Sequence, residues 1–147
     1  MTKNILLIST LDTKNLESEY LEVAINQISG CRALMMDISM AAHSLGSPDI
    51  SAAEVAESGG SSIAEINQSR ERSKITATMI NGAVFIAEKL LAEKKIDGII
   101  GLGGSTGSLM ATDVMRALPF GLPKVMVSAT AALPGLATRY IGTGDIM

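Results

Sequence analysis

The stretch from Ile96 to Leu118, IDGIIGLGGSTGSLMATDVMRAL, constrains the fold more than any other part of the chain. Its apolar run, Ile96 to Leu102, is too short for a free-standing helix and rich in isoleucine, as suits a strand buried on both faces. A glycine-rich turn follows at once. Leu109, Met110, Val114, Met115 and Leu118 then recur at the spacing of one helical face. A strand feeding straight into a helix predicts a βαβ unit, and with it a parallel sheet covered by helices.

Such a turn collects unpaired backbone N–H groups where a helix carries partial positive charge, and its glycines let a phosphate approach without meeting a Cβ. The candidates are Gly103, Gly104, Ser105, Thr106, Gly107 and Ser108. The hydroxyls could donate to an anion or simply cap the helix, and many glycine turns of this kind only make a tight bend. Neither standard fingerprint fits. No GxxxxGK[ST] lysine is present, and Gly101-Leu102-Gly103 is followed by Thr106 where a dinucleotide fold needs its third glycine.

The rest of the chain alternates in the same way. Lys3 to Ser9 reads as a buried strand, Thr10 to Lys14 as a loop, and Leu16, Tyr20, Val23, Ala24 and Ile28 as the apolar positions of a helix stopped by Gly30. Cys31 to Asp37 is a second strand. Asp37 stands where dinucleotide folds hold a ribose, although an aspartate capping a turn fits equally well. Between Ser39 and Ser69 the pattern weakens to a short helix over Ile50 to Glu57 and a stretch, Ser58 to Ser62, that is flexible by composition. Ser69 to Lys95 is the longest helical pattern, with Ile75, Met79, Ala83, Ile86 and Leu90 on one side. Gly82 at its middle costs about 1 kcal/mol relative to alanine and marks either close packing or a kink. Lys124 to Val127 is a fourth strand with Ser128 to Thr130 at its tip, and the last residues suggest a short strand and a turn.

A length of 147 residues gives one domain, 1–147. Hydrophobic residues make up 47% and charged residues 18%, apolar enough to suggest that some surface is buried against a partner. With a net charge of −3 and scattered basic residues, nucleic acid is an unsuitable partner. No apolar stretch reads as long enough to span a membrane and no signal peptide is evident, so a cytoplasmic protein without a membrane partner is expected. Cys31 is alone and is expected to be an inert core thiol.

In a parallel sheet all strand C-termini share one edge, which brings Thr10–Lys14, Gly103–Ser108 and Ser128–Thr130 together. Lys14 offers a point charge and Asp12 a magnesium ligand; beside a glycine-rich helix N-terminus they suit a nucleotide polyphosphate with its metal. Each also has a plain structural role open to it, Lys14 as a solvated lysine and Asp12 as a turn or cap residue. His43, the single histidine, has no nucleophile tied to it by sequence. Arg70 and Arg72 are cations near a helix N-terminus, a misfit that hints at a partner charge such as phosphate or else an exposed arginine face.

Four blocks, Thr10-Leu11-Asp12-Thr13-Lys14, Gly101 to Gly107, Leu118 to Ser128 and Tyr140 to Met147, resemble the ATP-binding domain family of the tomato mosaic virus resistance protein and its uncharacterised bacterial relatives. The resemblance implies a Rossmann-like lobe that binds ATP with magnesium, in a family whose members look dimeric. By position it puts Thr10, Asp12, Thr13 and Lys14 at the nucleotide and Gly103, Gly104, Ser105, Thr106 and Gly107 at the phosphates, and Asp37 and Arg72 fall where the family has an acid and an arginine. The family turn reads GGSGGT, whereas here Thr106 and Ser108 depart from it. The family also continues into a second α/β lobe, so a homo-oligomer or a separate chain carrying that lobe is expected to cover this one.

The expected molecule is therefore a three-layer Rossmann-like α/β domain with a mainly parallel sheet of four or five strands. It binds ATP and magnesium through the N–H groups from Gly104 to Ser108, Lys14 and Asp12, with Ser128 at the neighbouring strand tip. Two alternatives stand beside it: a lobe catalysing phosphoryl transfer or hydrolysis, and an assembly lobe that binds no ligand.

Overall fold

The computed structural model describes residues 1–41 and 45–147, so His43 lies outside the described residues. The elements run β1 (Lys3–Ser9), α1 (Leu11–Gln27), β2 (Cys31–Asp37), α2 (Ala52–Ser58), α3 (Ile63–Gln68), α4 (Arg72–Ala92), β3 (Gly98–Gly103), α5 (Ser105–Ala117), β4 (Lys124–Ser128) and α6 (Leu136–Ile141). The four strands pair in the order β2-β1-β3-β4, every pair parallel. Alternation along the strands divides two cores. Leu6, Ile8, Met36 and Ile99 pack with Val55, Met79, Ala83, Met110 and Val114 from the helices of one face. Leu7 and Met35 pack with Leu11 beneath α1 on the other. The result is the three-layer, Rossmann-like α/β architecture expected from the sequence.

The strand order reverses between β1 and β3, because β2 lies on one side of β1 and β3 and β4 on the other. Register places Ser9 opposite both Asp37 and Leu102, and Gly103 opposite Ser128, so the four strand tips line one edge around the switch point. At the outer edge the Met147 N–H donates to the Lys124 carbonyl at 3.1 Å and the Met126 N–H donates to the Met147 carbonyl at 2.7 Å. That is the hydrogen-bond pattern of a further parallel residue beside β4.

Several local expectations are corrected. Thr10 to Lys14 is not a loop: α1 begins at Leu11 and kinks at Lys14, whose φ of −126° and ψ of 26° leave the helical region. Leu16, Tyr20 and Val23 are 76%, 78% and 53% exposed, so these apolar positions of the helix look outward. The sheet side carries Leu11, Ser18 and Ile25 instead. Ser18 is accepted there because its hydroxyl is hydrogen-bonded to the Lys14 carbonyl at 2.6 Å and paired with the Ser9 hydroxyl at 2.8 Å.

The stretch Ser58 to Ser62 is structured. Ser51 with Glu54 and Ser62 with Glu65 form capping boxes that start α2 and α3, a pattern present in the sequence as two S-x-x-E repeats. Tyr140 and Ile141 are helical, in α6, where a strand was expected. Cys31 is half-buried at the first position of β2. Finally, α4 is long and apolar enough by composition to cross a membrane, contrary to expectation, and one side of it, Met79, Ala83 and Ala87, is fully buried in the larger core.

Candidate functional site

Two helix N-termini point to the switch edge, and the sequence treats them differently. At α1 the Leu11 N–H donates to Asp37 Oδ1 at 3.1 Å and the Asp12 N–H donates to Ser39 Oγ at 3.0 Å. Asp37 is fully buried, and Oδ1 also accepts from the Ser39 N–H and hydroxyl at 2.9 and 2.5 Å. The tip of β2 therefore caps α1 and supplies the negative charge its dipole favours. Asp37 takes the cap role left open by its position at the strand end.

At α5 no side chain caps the helix, whose N-cap is Gly104. The leading N–H groups of a helix have no acceptor within it, so Ser105, Thr106 and Gly107 present donors and partial positive charge. The adjacent glycines have different tasks. A Cβ on Gly103 would stand 2.6 Å from the Gly107 carbonyl carbon and the Ser108 nitrogen, so its absence lets α5 fold back tightly on the end of β3. A Cβ on Gly104 would meet nothing within 4 Å.

That open space is a cavity of about 320 Å³ lined by Thr10, Asp12, Thr13, Lys14, Met40, Arg72 and Gly104 to Gly107. Two helix starts far apart in sequence thus close on one spot: a Cβ on Gly107 would lie 3.4 Å from Thr10 Oγ1, and Thr10 Oγ1 is 3.0 Å from Thr13 Oγ1. Thr106 lies inside α5 and shares the lining. Asp12 Oδ1 is buried without a hydrogen-bond partner. Lys14 Nζ donates to Glu17 at 2.8 Å, and that bond holds the Glu17 carboxyl below its usual range.

Of the residues singled out in sequence, nine line this cavity: Thr10, Asp12, Thr13, Lys14, Arg72, Gly104, Ser105, Thr106 and Gly107. Asp37, Gly103, Ser108 and Ser128 stand behind it. Ser108 is fully buried and its hydroxyl donates to Ser128 Oγ at 2.6 Å, tying α5 to the tip of β4. From Ser128 the hydroxyls continue to Thr130 at 3.3 Å and on to Tyr140 at 2.8 Å. Met40 is a lining residue that no sequence pattern marks.

Lys124 was read only as the start of β4. It is 1% exposed, and its Nζ donates to Asp145 Oδ1 at 2.5 Å and to the Pro119 carbonyl at 2.8 Å. The ammonium, with the Gly121 N–H, keeps the Asp145 carboxyl below its ordinary range. This pair fastens the chain's last turn to the connection before β4.

A parallel three-layer sheet with an uncapped helix and a cavity at its switch point defines a Rossmann-like α/β domain with a candidate anion site. The chain belongs to the uncharacterised protein family UPF0261: the model of that family's N-terminal domain matches residues 3–147. It is 38% identical over 146 residues to a UPF0261 protein of Clostridium tetani, covering 99% of this chain and 35% of that protein. A UPF0261 protein of Rhizobium meliloti is 34% identical over 145 residues, again 99% of this chain and 35% of the relative. The ToMV susceptible protein tm-1 of Solanum lycopersicum is 37% identical over 76 residues, which are 52% of this chain and 10% of the plant protein. The chain thus spans about a third of the length of its bacterial relatives.

Proposed function

We propose that this domain binds the phosphate chain of a nucleotide, ATP with magnesium, in the cavity between the β1–α1 and β3–α5 turns. The observation that carries the reading is the contrast between the two helix N-termini: α1 is capped by Asp37 and Ser39, whereas α5 is uncapped and its first turn lines a cavity. An anion there would accept from the N–H groups of Ser105, Thr106 and Gly107, with Lys14 adding a charge it now shares with Glu17.

Among the described residues no group of three or more His, Cys, Asp or Glu side chains could hold a metal by itself. Magnesium needs no such cage, because it is commonly held by one or two carboxylates together with substrate phosphates. Asp12, with its buried and unpartnered Oδ1, fits that part. When bound, the metal would neutralise phosphate charge beside the helix. Arg72, on the same lining, supports a second reading in which the lobe also assists phosphoryl transfer or hydrolysis.

Calorimetric titration with magnesium and ATP tests the proposal on wild type, Lys14→Ala and Gly104→Val. Because Gly104 lines the cavity and a Cβ there meets nothing within 4 Å, Gly104→Val is expected to stay folded and lose binding. Wild type without heat of binding, or Gly104→Val with undiminished affinity, would refute it.

A further inference from the structure

The phosphate cavity does not end at Arg72. A second cavity of about 430 Å³ is lined by Asp12, Met40, Ala41, Ser69, Arg70, Arg72 and Ile75, and it shares Asp12, Met40 and Arg72 with the first. The two are compartments of one cleft, each within the size range of small-molecule sites. The second contains Arg70 and Arg72, and neither has an ion pair among the described residues. Both lie at the N-terminal end of the 21-residue helix α4, where the dipole already makes cations unfavourable. Both side chains are exposed and free of an ion pair among the described residues, so their charge is open to an anion from outside the chain. Among the described residues Asp12 is the one acid in this lining, and in the nucleotide reading its free oxygen belongs to the metal; Glu71, between the arginines in sequence, lines neither compartment. Met40 and Ile75 add an apolar wall, which suits a carbon skeleton better than a bare inorganic ion.

We infer that the Arg70–Arg72 compartment binds a second ligand, a small organic acid anion bearing a carboxylate or phosphate, beside the nucleotide phosphates. The inference rests on the nucleotide reading for its neighbour, yet the two sites are separable, because Arg70 lines only the second compartment and Gly104 only the first. A domain that held both would bring a phosphate chain and an anionic acceptor to the two sides of Asp12 and Arg72.

The test is titration of the isotope-labelled chain with inorganic phosphate and, separately, with succinate, followed through backbone amide shifts. Phosphate is expected to move two sets of amides, one at Gly104 to Gly107 and one at Ser69 to Arg72. Arg70→Glu should remove the second set, weakening that site by about tenfold or more for a lost charge-assisted contact, and leave the first unchanged. Gly104→Val should do the reverse. Succinate moving the Ser69 to Arg72 set supports a carboxylate ligand; phosphate alone moving it supports a phosphorylated one. No response at Ser69 to Arg72 with either probe, or a response that persists in Arg70→Glu, would overturn the inference. A first set unaffected by Gly104→Val would instead overturn the nucleotide reading and leave this one standing.

Discussion

Gly82 sits at the middle of α4 where α2 crosses it, and its replacement by alanine tests how the helical layer is held together. A Cβ at this position would lie 1.9 Å from the Val55 carbonyl oxygen and 2.8 Å from the Gly59 nitrogen. The crossing is reciprocal, since a Cβ on Gly59 would lie 2.1 Å from the Thr78 carbonyl oxygen. Carbon and oxygen rest in contact at about 3.3–3.6 Å, so Gly82→Ala requires α2 to withdraw by roughly 1.5 Å. Val55 and Ala56 on α2 are fully buried, and a gap of even ~0.5–1 Å forfeits a quarter to a half of each dispersion contact. Overpacking of this kind costs about 1–3 kcal/mol, and the backbone on both sides puts this case near the upper end. Alanine's better helix propensity returns about 1 kcal/mol. The expected net loss is about 2 kcal/mol, or roughly 4–8 °C in Tm for a chain of this size. Urea unfolding followed by circular dichroism measures it. Gly107→Ala serves as the control, because its Cβ meets nothing closer than Thr10 Oγ1 at 3.4 Å and the exchange should be neutral or stabilising. A Gly82→Ala protein as stable as wild type would refute the close-crossing argument.

Further outcomes follow from the same structure. Leu16→Lys combined with Tyr20→Glu on the outward side of α1 should change stability by less than about 0.5 kcal/mol, since both side chains are mostly in water; a loss of several kcal/mol would restore them to a core. Asp145 has its folded pKa depressed below the ordinary 3.8 by Lys124. Its contribution to stability is therefore complete above that value and is lost as pH falls through the folded pKa. Asp145→Asn should accordingly lower stability at neutral pH and show less further loss than wild type in acid unfolding below about pH 4. Equal acid sensitivity in the two proteins would remove the Lys124 pair as its source.

The layered parallel fold could be read directly because its signals are local: four short apolar runs, each followed by a helix or a turn with a known stop. The glycine-rich turn between β3 and α5 was legible for the same reason, as glycines and small hydroxyls between a strand and a helix report backbone geometry that no longer-range contact has to supply. The capping boxes at Ser51–Glu54 and Ser62–Glu65 are written in the sequence as S-x-x-E, but the serines and glycines of Ser58 to Ser62 hid the second of them behind a composition that reads as flexible. The outer side of α1 was not legible either. Leu16, Tyr20 and Val23 have ordinary helical spacing, and periodicity names one apolar stripe without saying which side the sheet takes; here the kink at Lys14 and the Ser18–Ser9 bond turn the other side inward.

By itself, the amino-acid sequence determined the order of strands and helices, the glycine-rich start of α5 and the acids and cations available near it, because these depend on residues close together in the chain. Only the tertiary structure decided which of two helix N-termini stays open, since Asp37 must come from β2 to cap α1. It also decided that Gly103 serves packing while Gly104 leaves space, that Lys124 is a buried partner of Asp145, and that Met40 joins Arg70 and Arg72 beside Asp12. Each of these turns on distances between segments that are remote in sequence, and composition and spacing hold no record of such distances.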